Sequence, residues 1–334
     1  MNVAVVGLGY WGPNLLRNLY EGRACDRIVC CDLDEQKLAK IGRRYPDLEL
    51  EKDLSRILER DDIDACVVAT PVSSHYPIGE QVLSAGKHLF LEKPLTSSRE
   101  QAESLIELAE KNNRVLMVGH VFEYSPPVTK IKQIIEEGEL GQIYYISSSR
   151  VNLGLHQKDV SVIWDLAPHD FSILFHWVDE TPSRVSSMGR DYVQRGIPDV
   201  AFINLQFPSG CIAHVQVSWL SPSKLRRTTI IGSEKMLVYD DTETTEKVKI
   251  YDKGVNYKDP ETFGEYHLSY RAGDVISPRL ETFEPLQTEM KHFIECCEKG
   301  ARPKSDGYSG LRVIKTLEAA EQSLRSNSQV VELQ

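Results

Sequence analysis

The sequence predicts an α/β protein of two domains. Residues 1–122 are expected to form a doubly wound parallel sheet, and residues 123–334 an α+β domain with a large, mostly antiparallel open sheet. Up to about residue 122, short apolar runs alternate with helix-like stretches, which is typical of a parallel sheet. From about residue 141, strand-like segments follow one another with few helices, which indicates an antiparallel sheet with one covered face. A chain of 334 residues is long enough for two separate cores.

The first strand leads into a glycine-rich turn. The apolar run Val3–Val6 is followed by Gly7-x-Gly9-x-x-Gly12 and then by a helix-like segment that starts at Pro13. In this pattern the first glycine makes a tight turn, the second lets the backbone approach a pyrophosphate, and the third lets helix and strand pack closely. Together with the helix N-terminus, the turn predicts a dinucleotide site, in which we include Tyr10 and Trp11.

A second apolar run ends in Asp32, 20 positions after Gly12. An acid at this spacing is typical of a ligand for the adenosine ribose. The next residues are Leu33 and Asp34, so a 2′-phosphate would meet two carboxylates and no arginine. This favours NAD over NADP. The alternative is that Asp32 only caps the following helix.

The rest of the first domain follows the same alternation. Helices are expected over 34–44 and 53–60, and Ser97-x-x-Glu100 has the spacing of a capping box for a third helix. Further strands are expected over 65–69, 88–92 and 115–118. In an open parallel sheet the ligand crevice lies beyond the carboxyl ends of the strands. We therefore expect one edge to carry the residues that follow the strands: Gly7, Asp32, Thr70, Glu92 and His120.

In the second domain the expected strands are 143–151, 184–192, 201–207, 211–219, 228–231 and 247–251. One helix, 161–177, interrupts them, and two amphipathic helices, 285–298 and 308–324, are expected to pack back near the domain junction. Residues 253–284 are rich in turn formers and charge. They suggest a long loop over a site or a partner-facing arm.

Two groups of residues could carry chemistry. Lys93, in Glu92-Lys93-Pro94, follows a strand and could bind a substrate oxygen; the alternative is an ordinary surface lysine. Asp165 and His169 lie four residues apart, so on a helix the carboxylate could orient the imidazole for proton transfer. The alternative is an exposed pair, or a histidine held in the core. Pro168 between them favours a distorted or starting helical turn.

Composition excludes several classes of protein. The net charge is −10, without a lysine-rich tail, which argues against nucleic acid as the main partner. No apolar stretch is long enough for a membrane span, and the first strand starts too early for a cleaved signal. The seven cysteines have neither disulfide-framework nor zinc spacing. We expect a cytoplasmic protein without a metal site, although His156, His169, His176, Asp165 and Asp170 could supply ligands.

The ordered set of motifs resembles the Gfo/Idh/MocA family (glucose–fructose oxidoreductase, inositol dehydrogenase and relatives). The motifs are Gly7-x-Gly9-x-x-Gly12, Ala69-Thr-Pro71 with His75, Glu92-Lys-Pro94, Gly119-His120 and Asp165-x-x-x-His169. The resemblance implies a Rossmann domain that binds NAD and a second domain that binds a sugar or polyol. It also implies a dimer or tetramer formed through the second sheet, and a Lys93–Pro94 bond that is often cis in relatives. The catalytic set it implies is Lys93, Asp165 and His169. The cofactor contacts we infer are Gly7, Gly9, Tyr10, Trp11, Gly12, Asp32, Thr70, His75, Glu92, Lys93 and His120.

Within the family, Tyr10-Trp-Gly-Pro-Asn14 and Trp164 to Asp170 look like the branch that oxidises C3 of a UDP-N-acetylhexosamine or its uronate. For a diphosphate substrate, Arg150, Arg226, Arg227 and Arg271 are candidate cations. The family also includes aldose and inositol dehydrogenases, NAD-dependent glycosidases that are redox-neutral, and dinucleotide-binding regulators. These remain as alternatives.

Overall fold

The computed structural model describes residues 1–154, 156, 160–257 and 268–333. The chain divides into two compact units. The first unit consists of Met1–Ser125 with Phe283–Lys315, and the second of Pro126–Thr282 with Thr316–Gln334. None of the helices in the described part of the chain is long and apolar enough to cross a membrane.

The first unit contains a six-stranded sheet in the order β3-β2-β1-β4-β5-β6, in which every neighbouring pair is parallel. Its strands are β1 (Asn2–Val6), β2 (Arg27–Cys31), β3 (Glu49–Glu51), β4 (Ala65–Val68), β5 (His88–Glu92) and β6 (Leu116–Gly119). β1 and β4 are buried almost completely, as expected for strands with helices on both faces. This is the doubly wound sheet that the sequence predicts.

Helices alternate with these strands along the chain. In chain order, the helices of the whole protein are α1 (Gly12–Glu21), α2 (Glu35–Arg44), α3 (Leu54–Leu58), α4 (His75–Ser84), α5 (Arg99–Lys111), α6 (Pro126–Glu136), α7 (Val162–Val178), α8 (Pro285–Lys299) and α9 (Gly307–Arg325). Short 3₁₀ turns occupy Val72–Ser74 and Val121–Tyr124. The N-cap of α5 is Ser98, which accepts from the backbone N–H of Gln101. The N-cap is therefore displaced by one residue from the expected Ser97.

The division of the chain differs from the one expected in where α8 belongs. The boundary falls after Ser125 rather than after residue 122, and Phe283–Lys315 is part of the first unit. The reason is the apolar face of α8: Leu286, Met290 and Phe293 are buried in the same core cluster as the residues of β1 and α1. The rings of Phe293 and Phe90 on β5 lie 5.7 Å apart. This helix completes the core of the cofactor sheet.

The second unit contains a nine-stranded sheet in the order β14-β13-β12-β11-β7-β10-β9-β8-β15. Its strands are β7 (Ile143–Val151), β8 (Arg184–Arg190), β9 (Val200–Gln206), β10 (Ile212–Ser218), β11 (Leu225–Gly232), β12 (Met236–Asp240), β13 (Val248–Tyr257), β14 (Leu268–Ile276) and β15 (Val331–Glu332). Only the pair β7–β10 is parallel among these described strands. α7 packs on β7, β9 and β10. The mostly antiparallel sheet is therefore as predicted.

Four strands were not expected: β3, β12, β14 and β15. β12 is short, and β14 lies within 253–284, where we expected a long loop or arm; there, β13 and β14 form an antiparallel pair. The tip of that segment, 258–267, lies outside the described residues. α6 was not expected either. The indole of Trp177 on α7 donates to the carbonyl oxygen of Val128 on α6 at 3.0 Å.

Candidate active site

Two glycines in the turn after β1 leave no room for a side chain. Gly7 has a φ of +91°, and a Cβ on it would lie 2.7 Å from the carbonyl oxygen of Ala69. A Cβ on Gly12 would lie 1.9 Å from the carbonyl oxygen of Gly7, so α1 starts directly against this turn. At Gly9, a Cβ would meet no described atom within 4 Å. The turn is therefore tight on its protein side and open where a phosphate would approach.

The N-terminus of α1 is suited to an anion. Pro13 occupies its first turn, Trp11 at the N-cap position makes no side-chain capping bond to the described residues, and the first turn holds no acid. Its leading N–H groups and the positive end of its dipole are therefore available to a ligand. Tyr10, the residue before Trp11, is 93% exposed. These features fit the pyrophosphate of a dinucleotide.

Asp32 connects the end of β2 to the glycine turn. Its carboxylate accepts from the backbone N–H of Leu8 at 2.6 Å and from that of Asp34 at 2.9 Å. The Nζ atom of Lys37 lies 3.5 Å away. Capping of α2 is done by Asp34, whose side chain accepts from Gln36. Since each carboxylate oxygen has two acceptor positions, the bonds to Leu8 and Asp34 leave Asp32 able to accept from a ribose diol as well.

His75 has a supporting place in the structure. It is 1% exposed, and its Nδ1 and Nε2 atoms each lie 2.9 Å from a carbonyl oxygen, of Pro94 and Thr70 respectively. Burial lowers the pKa of His75, while the hydrogen bonds to the two carbonyl oxygens act to raise it. The ring thus joins the turn after β4 to the segment after β5, where the Lys93–Pro94 peptide bond is cis. His75 therefore fixes Thr70 and Pro94, and its role as a cofactor contact stays a prediction.

Glu92, at the end of β5, is held from several sides. Its carboxylate accepts from the backbone N–H of Lys93 at 3.2 Å and from the side chain of Trp11 in the glycine turn. Gly119 on β6 lies directly against it, because a Cβ there would be 3.0 Å from all three atoms of the carboxyl group. Burial raises the pKa of Glu92 to about 7, although the Lys93 charge acts in the opposite direction. Glu92 can therefore change its protonation near neutral pH.

His120 follows β6 at the same edge. It is 1% exposed, and neither ring nitrogen has a hydrogen-bond partner among the described residues. Burial lowers the pKa of His120 to about 3, and the charges of Lys93 and Arg312 lower it further. A neutral imidazole has one donor and one acceptor. A buried polar group that lacks protein partners is typical of a position where water or a ligand completes the bonding.

In the second unit, α7 carries Asp165 and His169 one turn apart, both partly buried. The Oδ2 atom of Asp165 accepts from the indole Nε1–H of Trp219 at 3.0 Å. Pro168 lies inside the helix, so the backbone hydrogen bond that its N–H would make is missing there. The carbonyl oxygen of His169 accepts from the hydroxyl of Ser172. α7 therefore presents a carboxylate and an imidazole on one face, with the carboxylate fixed from outside the helix.

The next residue, Asp170, anchors α7 to the sheet. Its carboxylate accepts from Ser148 Oγ at 2.7 Å and pairs with Arg150 Nε at 2.5 Å, and both partners lie on β7. Asp170 is 4% exposed, so its charge is paired in the interior. Loss of one partner of a buried ion pair typically costs about 3–5 kcal/mol, because the other charge stays buried without compensation. Asp170 therefore fixes the helix position at the residue beside His169.

Two models of one sequence family match the chain. The model of the oxidoreductase family with an NAD-binding Rossmann fold, Gfo/Idh/MocA, matches residues 1–120. The model of the Gfo/Idh/MocA C-terminal domain matches residues 128–238. The chain belongs to the Gfo/Idh/MocA family. It is an oxidoreductase that uses NAD as its cofactor, and the glycine turn and Asp32 lie within the matched Rossmann region.

Three members of the Gfo/Idh/MocA family illustrate the range of relatives. The NAD⁺-dependent scyllo-inositol 2-dehydrogenase of Bacillus subtilis is 26% identical, over 90% of this chain and 87% of that protein. The UDP-N-acetylglucosamine 3-dehydrogenase of Acidithiobacillus ferrooxidans is 27% identical over 76% of each chain. The solved structure of that enzyme superposes on this chain over 98% of each chain, with a TM-score of 0.81. The 2,7-anhydro-N-acetylneuraminate hydratase of Escherichia coli is 24% identical, over 99% of this chain and 96% of that protein.

Three of the four arginines that we considered for a diphosphate are bound to carboxylates: Arg150 to Asp170, Arg226 to Asp241 and Arg271 to Asp252. Arg227 is exposed on β11 and forms no ion pair with the described residues. Lys224, which the motif analysis did not single out, is exposed in the short connection between β10 and β11. Lys224 and Arg227 are therefore two exposed cations that form no ion pair with the described residues.

Sequence reasoning missed Trp219 and Glu289, and it considered Asp170 only as a possible metal ligand. Glu289 on α8 is 0% exposed, and neither oxygen of its carboxyl group has a hydrogen-bond partner in the described chain. The sequence signal for Glu289 was an acidic residue at a core-facing position of an amphipathic helix. No group of three or more side chains in the described residues is arranged to hold a metal ion.

Proposed function

We propose that this member of the Gfo/Idh/MocA family transfers hydride from a secondary hydroxyl, at C3, of a nucleotide-linked amino sugar to NAD. UDP-N-acetylglucosamine and its uronate are the substrates we favour. The observation that carries the catalytic part is the pair on α7: Asp165 is fixed by an indole hydrogen bond at 3.0 Å, and His169 lies one turn further on the same face. A carboxylate–imidazole pair is suited to removing a hydroxyl proton.

The first unit has the residues that NAD requires. We assign the pyrophosphate to the turn between Gly7 and Gly12, with Tyr10 and Trp11, and the adenosine ribose to Asp32. Thr70, Glu92, Lys93 and His120 belong to the nicotinamide end. In this assignment the ring nitrogens of His120, which have no hydrogen-bond partner in the described chain, bond to a ligand that can both donate and accept hydrogen bonds. When bound, NAD accepts the hydride at C4 of its nicotinamide ring.

Each catalytic residue has one task in this proposal. His169 accepts the hydroxyl proton, and Asp165 holds the imidazole in the orientation that accepts it. Lys93 donates a hydrogen bond to the sugar oxygen, on which negative charge develops as the proton leaves. Removal of a donor aimed at developing charge typically costs about 10²–10³ in kcat.

Two observations support the nucleotide-sugar class. UDP-N-acetylglucosamine 3-dehydrogenase is a relative over three quarters of the chain. In addition, Lys224 is exposed in the connection that follows β10, the strand that leads into Trp219. A diphosphate is negatively charged, and its hydrogen bonds to cationic side chains are stronger than its hydrogen bonds to neutral donors. We propose that Lys224 meets the diphosphate, because the strand register places Arg227 on the face of the sheet opposite α7, together with Phe202.

The experiment is an NADH absorbance assay with purified protein, NAD⁺ and a panel of UDP-N-acetylglucosamine, its uronate, myo-inositol and free aldoses. A rise only with the UDP-sugars supports the proposal. We expect His169→Ala and Lys93→Ala each to lower turnover by about 10² or more while NAD⁺ binding, measured by calorimetry, persists. Lys111→Ala, at an exposed position at the end of α5, is the matched control. Near-full turnover in either catalytic variant would contradict the assignment.

Two alternatives are favoured by specific relatives. The inositol dehydrogenase match over 90% of the chain favours a polyol or aldose substrate. A rise in NADH only with inositol or aldoses would select that function. The hydratase match favours a redox-neutral reaction. No rise with any sugar, together with NAD released only on denaturation, would select it.

We also propose that the protein is a dimer or tetramer through the second sheet. On β9 the side chains alternate, with Ala201 and Ile203 buried and Phe202 and Asn204 exposed. Ile212 on β10 is 53% exposed on this open sheet. A groove of about 660 Å³ runs over this surface. Sedimentation velocity should give a multiple of 37.9 kDa, and a monomer at micromolar concentration would contradict the proposal.

A further inference from the structure

Trp219 is a buried side chain in contact with the catalytic motif of α7. It follows β10 directly and is 1% exposed. Its indole Nε1–H donates to Oδ2 of Asp165 at 3.0 Å, across 54 residues of sequence. An indole can donate one hydrogen bond and accept none, so this bond accounts for the whole polar capacity of the side chain.

Three other residues of the second unit hold Trp219 in place. The backbone N–H of Trp219 donates to the carbonyl oxygen of Asp199 at 2.9 Å, and its own carbonyl oxygen accepts from Gly154 at 3.0 Å. Gly154 has no room for a side chain, because a Cβ there would lie 2.7 Å from Cδ1 of the indole. The imidazole of His156 lies against the indole, with 5.2 Å between ring centroids. Trp219 is therefore held both by its backbone hydrogen bonds and by contacts of its ring.

The start of α7 is attached to the same place. The backbone N–H of Val162 donates to the carbonyl oxygen of Pro198 at 2.9 Å, one residue before Asp199. Consequently, the helix that carries Asp165 and the strand end that carries Trp219 share one support. An aspartate side chain has two rotatable bonds, and a fixed donor on one oxygen selects one of its orientations.

We propose that Trp219 is a positioning residue for the reaction: its indole N–H holds the Asp165 carboxylate in the orientation that serves His169. This rests on the proposed function, in which His169 is the base. Trp219 does not touch the substrate in this assignment. It acts through Asp165, as outer hydrogen-bond partners do where they fix a ligating or catalytic group.

The substitution Trp219→Phe removes the donor and keeps an aromatic ring. Trp164→Phe is the matched control, because Trp164 lies on α7 too and its indole Nε1–H also donates to a carboxylate, of Glu321, at 3.0 Å. The first measurement needs no substrate. In protein labelled with ¹⁵N-histidine, the ring-nitrogen shifts of His169, identified with His169→Gln, report its tautomer and hydrogen bonding.

We expect Trp219→Phe to change the ¹⁵N shifts of His169 and Trp164→Phe to leave them as in the wild type. Unchanged His169 shifts in Trp219→Phe would overturn the inference. Equal changes in both variants would also overturn it, since they would show only a general loosening of α7.

The second measurement is a double-mutant cycle on turnover of UDP-N-acetylglucosamine with NAD⁺. We expect Trp219→Phe to lower kcat between about ten- and a hundredfold with little change in KM. In an Asp165→Asn background it should cause little further loss, because the two residues act as one unit. Equal losses in both backgrounds would assign Trp219 a purely structural role. By contrast, unchanged turnover in Asp165→Asn or His169→Ala would contradict the proposed function itself.

Discussion

The cofactor domain should lose stability as the pH rises through neutrality, because three carboxyl groups are buried together in it. Burial raises the pKa of Glu289 well above its ordinary value, and the nearby Glu92 and Glu123 raise it further. Burial raises the pKa of Glu123 to about 8, and that of Glu92 to about 7, although cationic neighbours act in the opposite direction on both. All three groups therefore resist the ionisation that water would favour.

The sign follows from proton binding. A carboxyl group with a higher pKa in the folded state binds more protons there, so its contribution is complete below the unfolded pKa and is lost as the pH rises through the folded pKa. For Glu92 the interval runs from 4.5 to about 7, a difference of 2.5 pH units. At 1.36 kcal/mol per unit, the loss is at most about 3 kcal/mol. Glu123 extends the decline to about pH 8.

The assay is urea unfolding of the protein without cofactor, from pH 5.5 to 8.5, followed by circular dichroism. Glu289→Gln keeps the shape and removes one of the three acids, so the fall in unfolding free energy should be shallower. Glu295→Gln is the control on the same helix: Glu295 is 43% exposed and lies near Lys291 and Lys299. It should change stability by well under about 1 kcal/mol at every pH.

A stability that is flat or rises between pH 5.5 and 8 would refute this reasoning. So would a Glu289→Gln variant with the same pH slope as the wild type. In either case, the three carboxyl groups would have to be solvated or paired in solution.

Three further predictions concern the cofactor and the substrate. Asp32→Ala should lower the preference for NAD over NADP by about tenfold or more in kcat/KM, since the ammonium group of Lys37 is then available to a 2′-phosphate; an unchanged preference would remove Asp32 from the ribose site. Lys224→Ala should raise KM for a UDP-sugar by about tenfold and leave NAD binding unchanged. A KM equal to that of the wild type would show that Lys224 does not bind the substrate. Gly119→Ala should weaken NAD⁺ binding by about tenfold in calorimetry with unchanged circular dichroism, because the new Cβ would displace the carboxyl group of Glu92; wild-type affinity would contradict that displacement.

Local sequence patterns predicted five of the six strands of the cofactor sheet, because each of these five is a short apolar run that ends in a turn. The exception, β3, has the sequence Glu49-Leu50-Glu51. Gly7, Gly12 and Asp32 act within a few residues of a strand end, so their spacing alone indicates their place. The Asp165–His169 pair was predictable for the same reason, since four-residue spacing defines one face of a helix.

What could not be predicted depends on contacts distant in sequence. The amphipathic face of α8 could have packed in either domain, and only the folded core shows that it joins the first. The bond between Trp219 and Asp165 crosses 54 residues, and no local pattern marks it. The contacts of both ring nitrogens of His75 with the carbonyl oxygens of Pro94 and Thr70 are not marked by its motif either. β14 could not be predicted as a strand because its segment is rich in charged residues and turn formers.

The membership of α8 in the first core has a consequence for synthesis of the chain. When residue 125 leaves the ribosome, all six strands of the parallel sheet have been made, but Leu286, Met290 and Phe293 have not. At about 5–20 residues per second, the ribosome needs roughly 10–35 s more to reach the end of α8. During this interval the apolar surface that α8 covers is open to water and to neighbouring chains. The nascent protein is therefore most vulnerable to aggregation, and most dependent on chaperones, while its second domain is being translated.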